Sequence, residues 1–283
     1  MNVRILQPKG YCAGVSRAIK MAYQAKKDYP DKQIYVLGML VHNDIVVKQL
    51  EKDNIKTAYD INNIPDGEVI IFTAHGHDER LDKIAKKKEL IIYDAICPIV
   101  KNNLERIKNE LKDNHQVIYI GINTHPETIA AISLDRNIFL YPIDGQFNYQ
   151  LIKDKNPCVV NQTTLNVLEL DSIYKNILSY IPEARILDEI CYSTRKRQES
   201  ITQLDDKDVD LIVIVGDEKS SNSTRLLEVA KMSHPNISSI MISSFTDLNK
   251  EDFINKKSIV IASGASVSEE TIDAIYRHIV DFK

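Results

Sequence analysis

The stretch Asp94-Ala95-Ile96-Cys97-Pro98 contains one of three cysteines that each begin a similar run of sequence. A polar residue follows each of them at nearly the same distance: His42 lies 30 residues after Cys12, His125 28 after Cys97, and Ser220 29 after Cys191. A repeated spacing of this kind is typical of duplicated units that stack to complete a core. The unit spans about ninety residues, close to the size of a small domain.

A second set of polar loops keeps the same order. It comprises Thr73-Ala74-His75-Gly76, Asn161-Gln162-Thr163-Thr164 and Ser263-Gly264-Ala265-Ser266. Each of these loops follows a short apolar run, and in parallel sheets the loops that leave the carboxyl ends of strands face the ligand crevice. The repeat therefore predicts that six loops line one site.

Short β-branched runs alternate with amphipathic segments along the chain, which indicates parallel α/β sheets. The predicted strands are Val3 to Leu6, Ile34 to Leu37, Val69 to Phe72, Val117 to Ile120, Cys158 to Val160, Leu211 to Val215, Ile240 to Ile242 and Ser258 to Ala262. The predicted helices include Ala13 to Lys27, Val100 to Lys112, Thr194 to Leu204 and Ser268 to Val280. We expect three closely packed α/β units over residues 1–95, 96–190 and 191–283.

Composition narrows the class of partner. The formal net charge of -4 and the pI near 6.0 argue against nucleic acid or an anionic membrane surface, because both require a basic field. We find no secretory signal and no apolar stretch long enough to cross a bilayer, so we expect a cytoplasmic protein that acts on small molecules. Arg195-Lys196-Arg197 fits a solvated surface, with an acidic electron donor as the alternative.

Four cysteines without an export signal indicate reduced thiols that bind metal or react. Cys158 lies in a predicted strand and is typical of a small buried residue. Cys12, Cys97 and Cys191 occupy equivalent loops, and three thiolates that meet require a cation. Zinc favours closely spaced cysteine pairs, which the chain lacks, whereas an iron–sulfur cluster accepts distant ligands. Spacing alone leaves both alternatives open.

The polar loops contain imidazole, hydroxyl and amide groups near predicted helix N-termini, a lining that suits a phosphorylated ligand. Their members are His42, His75, His125, Glu127, Thr163, Ser220, Ser221, Asn222 and Ser266. Taken singly, Ser220 to Asn222, Thr163 and Ser266 are better explained as helix caps. The repeated frame favours one shared site.

With these motifs assembled, the chain resembles the 4-hydroxy-3-methylbut-2-enyl diphosphate reductases, the LytB-type iron–sulfur enzymes. The resemblance runs nearly from end to end and rests on the cysteine loops, the histidine loops, His125-Pro126-Glu127, Gln162-Thr163-Thr164-Leu165 and Ser220-Ser221-Asn222-Ser223. It implies a trefoil of three α/β domains around a central [4Fe-4S] cluster. It also implies the last reaction of the non-mevalonate pathway, in which an allylic hydroxyl is reductively removed to give isopentenyl and dimethylallyl diphosphate.

The resemblance assigns a role to each candidate residue. Cys12, Cys97 and Cys191 are implied to bind the cluster and to leave one iron open, and Glu127 to donate the proton. The diphosphate is implied to bind His42, His75, His125, Ser220, Ser221, Asn222 and Ser266, with Thr163 near the substrate hydroxyl. A ferredoxin or flavodoxin type protein is the implied electron donor. The alternatives are a non-catalytic iron–sulfur sensor of a phosphorylated metabolite and a zinc-dependent phosphoester hydrolase.

Overall fold

Three parallel four-stranded sheets organise residues 1–282, the part of the chain that the computed structural model describes. The strands are β1 (Asn2–Ile5), β2 (Ile34–Leu37), β3 (Ile55–Ala58), β4 (Val69–Phe72), β5 (Ile91–Asp94), β6 (Val117–Gly121), β7 (Ile138–Pro142), β8 (Cys158–Asn161), β9 (Arg185–Ile186), β10 (Leu211–Val215), β11 (Ser238–Ile242) and β12 (Ser258–Ser263). The helices are α1 (Ala13–Asp28), α2 (Asp44–Lys52), α3 (Arg80–Lys87), α4 (Pro98–Lys112), α5 (Pro126–Ile132), α6 (Val167–Tyr180), α7 (Tyr192–Thr202), α8 (Ser221–Ser233) and α9 (Glu269–Asp281). This arrangement confirms the predicted α/β class.

The sheets repeat one strand order. The first sheet runs β3-β2-β4-β5 and the second β7-β6-β8-β9, while the third, taken from its other edge, runs β11-β10-β12-β1. The first strand of the chain therefore completes the last sheet, paired in register from Asn2 with Ser258 to Ile5 with Ile261. Residues 1–95, predicted as the first unit, thus contribute one strand to the third.

This exchange determines where the cysteines lie. Helices α1, α4 and α7 each carry the chain out of one sheet and into the next. Cys12, Cys97 and Cys191 stand immediately before these three crossings. The repeated unit therefore begins at its cysteine, and the strand that precedes the cysteine belongs to the preceding sheet.

The core consists of separate apolar clusters on the two faces of each sheet. The central strands β4, β6 and β10 are buried along their whole length, as expected for strands covered by helices on both faces. Helices supply the other half of each cluster, for example Ala18, Ala22 and Ala25 of α1. None of the helices within residues 1–282 combines the length and apolar character that a bilayer crossing requires.

Candidate active site

Three of the cysteines cap the helices that cross between sheets. Cys12, Cys97 and Cys191 are the N-cap residues of α1, α4 and α7. The Cys12 Sγ accepts the N–H of Val15 at 3.4 Å, and the Cys191 Sγ accepts the N–H of Thr194 at 3.3 Å. Because helix N-termini carry partial positive charge and unpaired N–H groups, all three sulfurs occupy positions that stabilise negative charge.

The three sulfurs line one cavity of about 100 Å³. A Cβ atom placed on Gly14 would lie 2.8 Å from the Cys97 Sγ and 3.8 Å from the Cys12 Sγ, so glycine keeps the space between these two sulfurs clear. Burial raises the pKa of each thiol. A bound cationic centre is therefore needed to hold the three as thiolates.

The arrangement of the thiols also bears on the kind of centre. No group of three or more His, Cys, Asp or Glu side chains within residues 1–282 is arranged to hold a single metal ion. A zinc ion brings its sulfurs to about 2.3 Å from one point, whereas a cluster accepts widely separated ligands. The three thiols therefore share one cavity without being arranged around a single metal ion within residues 1–282. Cys158 lies fully buried in β8 and outside this cavity.

Three histidines form the wall next to the sulfurs. The rings of His42 and His75 stack with centroids 4.1 Å apart, and the His125 ring meets them edge-on at 5.5 and 5.7 Å. Burial lowers the pKa of His42, lowers that of His125 to about 3, and with the two neighbouring rings lowers that of His75 well below its ordinary value. Without a ligand the cluster of rings is therefore neutral.

The His75 Nδ1 atom is buried and has no hydrogen-bond partner within residues 1–282. An unpaired buried polar atom carries a desolvation cost unless a ligand or water engages its side chain. This atom therefore marks the histidine wall as a ligand-binding surface.

Glu127 is a buried carboxyl group held by Thr163. It is 2% exposed, and its Oε1 and Oε2 atoms accept the N–H and the hydroxyl of Thr163, both at 2.9 Å. The Tyr119 hydroxyl donates to Oε1 at 3.4 Å. Burial raises the pKa of Glu127 to about 7, although the Thr163 bonds oppose the shift. The group can therefore hold and release a proton near neutral pH.

The hydroxyl and amide loops of the second and third units close the cavity. Ser220 is the N-cap of α8, where it accepts the N–H of Ser223, so the capping interpretation holds for this residue. It does not hold for the other two, because Asn166 and Ser268 are the caps that follow Thr163 and Ser266. The Ser266 hydroxyl donates to the carbonyl of His42 at 3.1 Å and so joins the first and third units.

The basic run Arg195-Lys196-Arg197 predicted a solvated surface position for Arg197, and that prediction was wrong. Its side chain is buried, with 3% of the residue exposed. The guanidinium donates to the carbonyls of Pro8 and Gly10 at 2.7 Å and of Ser263 at 2.9 Å. Arg197 therefore ties the Cys12 loop to the helix that follows Cys191. No local pattern reveals this, because its acceptors lie far away in the chain.

Two polar side chains that support the site were also missed as individual residues. Gln162 belongs to the quoted Gln-Thr-Thr motif, and its Nε2 donates to the Ser221 hydroxyl at 3.1 Å, bridging two units. Thr194 contacts the Cys191 Sγ through its own hydroxyl at 3.1 Å. Its position three residues after the cysteine was the available signal.

All twelve candidate residues line the one cavity: Cys12, His42, His75, Cys97, His125, Glu127, Thr163, Cys191, Ser220, Ser221, Asn222 and Ser266. Fold and site together define a class, namely an α/β protein of three repeated units with a cavity lined by three thiols, three histidines and a buried carboxyl group. A family profile described as "LytB protein" matches residues 3–280. The chain belongs to the LytB protein family.

Curated relatives span almost the whole chain. The 4-hydroxy-3-methylbut-2-enyl diphosphate reductase of Wigglesworthia glossinidia brevipalpis is 36% identical over 290 residues, covering 100% of this chain and 90% of its own length. The enzyme of the same name from Malacoplasma penetrans is 33% identical over 280 residues, and the match covers 94% of this chain and 93% of that enzyme.

Solved structures give the same result. The E-1-hydroxy-2-methyl-but-2-enyl-4-diphosphate reductase of Plasmodium falciparum superposes with a TM-score of 0.90 at 29% identity, over 98% of this chain and 87% of that one. A structure described as the terminal enzyme of the non-mevalonate pathway superposes with a TM-score of 0.70 at 27% identity, and the match covers 99% of this chain and 100% of that one.

Proposed function

We propose that this chain reduces 4-hydroxy-3-methylbut-2-enyl diphosphate to isopentenyl diphosphate and dimethylallyl diphosphate, the final step of the non-mevalonate isoprenoid pathway. The reaction breaks the C4–O bond, consumes two electrons and two protons, and releases water. The observation that carries the proposal is the meeting of three helix-capping thiols, a histidine wall and a carboxyl group with a pKa near 7 in one cavity. Relatives with end-to-end similarity have the reductase name.

The cofactor in this proposal is a [4Fe-4S] cluster held by Cys12, Cys97 and Cys191, which leaves one iron open. Support comes from the three helix N-termini that carry the cysteines and from the space that Gly14 leaves between two sulfurs. When bound, the cluster supplies the two electrons that the reduction consumes.

The diphosphate binds, in this proposal, to His42, His75, His125, Ser220, Ser221, Asn222 and Ser266. Among the described residues the cavity lining contains neither Lys nor Arg. Imidazole, hydroxyl and amide donors at helix N-termini must therefore compensate the negative charge. An anion beside neutral histidines raises their pKa, so binding takes up protons and affinity falls as the pH rises.

Glu127 is, in this proposal, the proton donor to the departing hydroxyl. Thr163 holds both carboxylate oxygens, so the acid is fixed in orientation before substrate arrives. Its protonated form is well populated at neutral pH because burial raises the pKa to about 7. The diphosphate anchors the substrate at a distance and its binding energy positions the hydroxyl for this transfer.

The wider setting follows from the same assignment. The site is shared by three domains, residues 1–95, 96–190 and 191–283, with the first strand exchanged into the third sheet. A ferredoxin or flavodoxin type protein delivers the electrons, and the protein works in the cytoplasm. The domain limits, the donor and the compartment are parts of the proposal.

Anaerobic purification followed by iron, sulfide and zinc analysis and an assay with a chemical reductant tests the assignment. We expect about four irons and four sulfides per chain, with both isomeric products formed. Cys97→Ala is expected to lose cluster and turnover, whereas Cys158→Ala, which alters a buried cysteine outside the cavity, keeps both. Zinc in place of iron would point to a hydrolase, and a cluster without turnover would point to a sensor; either result would refute the proposal.

A further inference from the structure

A line of hydrogen bonds joins the anion-binding loop of the third unit to a cysteine sulfur. The backbone N–H of Ala265 donates to the Asn222 Oδ1 at 3.0 Å. The Asn222 Nδ2 donates to the Thr194 Oγ1 at 2.9 Å. The Thr194 Oγ1 lies 3.1 Å from the Cys191 Sγ. A change at Asn222 can therefore reach the sulfur through two bonds.

The direction of each bond is fixed by its partners. A backbone N–H can only donate, so the atom that faces Ala265 is the amide oxygen of Asn222 and the atom that faces Thr194 is its nitrogen. That nitrogen also only donates, so the Thr194 oxygen must accept from it. The hydroxyl has one proton, which is then free for the sulfur. With Cys191 as a thiolate the sulfur can only accept, so Thr194 donates to it.

Burial makes this bond matter. Thr194 is 1% exposed and Asn222 8% exposed, so water does not compete strongly for either side chain. In such surroundings hydrogen bonds are stronger and polarise one another along a chain. Asn222 nevertheless lines the cavity, and its Nδ2 has a second proton for an anion.

We propose that Thr194 is a positioning residue that raises the reduction potential of the centre bound at Cys191 and makes that potential depend on occupancy of the anion site. The inference depends on the proposed function, since it requires a cluster at the three thiols. A hydrogen bond to a ligand sulfur favours the reduced, more negative state of a cluster. An anion that accepts a hydrogen bond from the Asn222 amide weakens the hydrogen bond from that amide to the Thr194 hydroxyl. The hydroxyl then donates less strongly to the Cys191 sulfur, and the reduction potential falls.

Linkage gives the same coupling a second readout. If diphosphate lowers the potential, reduction must weaken diphosphate binding by the same factor. The charge of the anion acts directly on the cluster in the same direction, but that effect does not pass through Thr194. The portion of the shift in reduction potential that is lost when the Thr194 hydroxyl is removed is therefore the portion transmitted by the hydrogen bonds.

The test uses the anaerobic holoprotein in redox titrations followed by electron paramagnetic resonance, with and without inorganic diphosphate. Thr194→Val removes the hydroxyl at nearly constant shape, and Thr194→Ser restores it. We expect Thr194→Val to lower the potential and Thr194→Ser to keep it. In the unaltered chain we expect the oxidised form to bind inorganic diphosphate about tenfold more tightly than the reduced form, which equals about 59 mV for one electron. That ratio should be smaller in Thr194→Val.

Helix α9 offers a matched control. Its N-cap Ser268 contacts the Thr271 hydroxyl at 3.1 Å, again three residues along, but neither residue lines the cavity. Thr271→Val should therefore leave the potential unchanged. Thr194→Ala replaces Thr194→Val if the latter does not keep its cluster.

An unchanged potential and affinity ratio in a Thr194 variant with intact cluster would show a purely structural role and overturn the inference. An unaltered chain that assembles no cluster would overturn the proposed function itself, and this inference with it.

Discussion

Replacing Glu127 with Gln is expected to make the protein more stable above neutral pH and much less active. Gln has nearly the same shape, and its amide can still pair with both donor and acceptor groups of Thr163. Burial raises the pKa of Glu127 from 4.5 to about 7, which corresponds to about 3 kcal/mol at 1.36 kcal/mol per pKa unit.

The sign follows from proton binding. Between pH 4.5 and 7 the folded chain keeps a proton at Glu127 that the unfolded chain has lost. The stabilising contribution of this group is therefore complete below pH 4.5 and is lost as the pH rises through about 7. The Gln side chain cannot ionise. We therefore expect the free energy of unfolding of Glu127→Gln, relative to that of the unaltered protein, to be about 3 kcal/mol higher at pH 8.5 than at pH 4.

Unfolding midpoints of both proteins at the two pH values, with equal cluster content, measure this difference. Glu105→Gln, which removes a carboxyl group from an exposed side chain, is the control for the loss of a carboxylate alone. If Glu127→Gln gained nothing at the higher pH, the carboxyl group would not be the desolvated acid described above.

Activity supplies the second half of the test. General acid catalysis contributes about 10²–10⁴-fold, so turnover should fall by that order in Glu127→Gln. The turnover rate of the unaltered enzyme should fall above pH 7, whereas the residual rate of the variant should not show this decrease. Full activity in the variant would contradict the role of proton donor.

Three further substitutions test other parts of the site. Gly14→Ala places a methyl group 2.8 Å from the Cys97 Sγ, so iron and sulfide per chain should fall sharply; normal content would refute the crowding argument. Thr163→Val removes a donor to the ionised form of Glu127, which raises its pKa further and moves the falling limb of the rate profile to higher pH, whereas Thr163→Ser should not. Arg197→Lys cannot reproduce three carbonyl contacts and should cost about 3 kcal/mol in the free energy of unfolding, measured by denaturant titration.

The central strands were predictable because their sequences are continuous apolar runs. Val69–Phe72 and Leu211–Val215 are buried along their whole length and are found with the predicted limits, since strands covered on both faces are apolar throughout. Ile34–Leu37 is also found with the predicted limits, although its residues alternate between buried and half-buried.

The edge strands β3, β5, β7 and β9 were not among the predicted strands. Only the two end residues of Ile55–Ala58 are buried, and Arg185–Ile186 has only two residues, so neither presents an apolar run. Ile91–Asp94 and Ile138–Pro142 begin with apolar residues but are mostly half-buried, and they were missed as well.

The site was predictable for a different reason. Each candidate lies in the loop after a strand or in the first turn of the helix that follows it, and the repeat places equivalent segments around one centre, so a local pattern was enough to assemble all twelve. Arg197 and the exchange of β1 were not accessible in this way. Both depend on pairing between the two ends of the chain, as in the bond from Arg197 to the Gly10 carbonyl, and no local periodicity encodes such a contact.

The exchange of β1 explains why the cysteines can meet at all. If each unit were a closed domain, its cysteine would lie within one sheet and its helix would return to that sheet. Here the chain leaves each sheet at the cysteine, so α1, α4 and α7 all begin at the seams between units. Three helix N-termini thus converge on one space, and among the described residues its lining contains no lysine. In the proposed function, the same helix N-terminal geometry that favours thiolates also favours an anion beside them, and one cavity would therefore hold both negative partners.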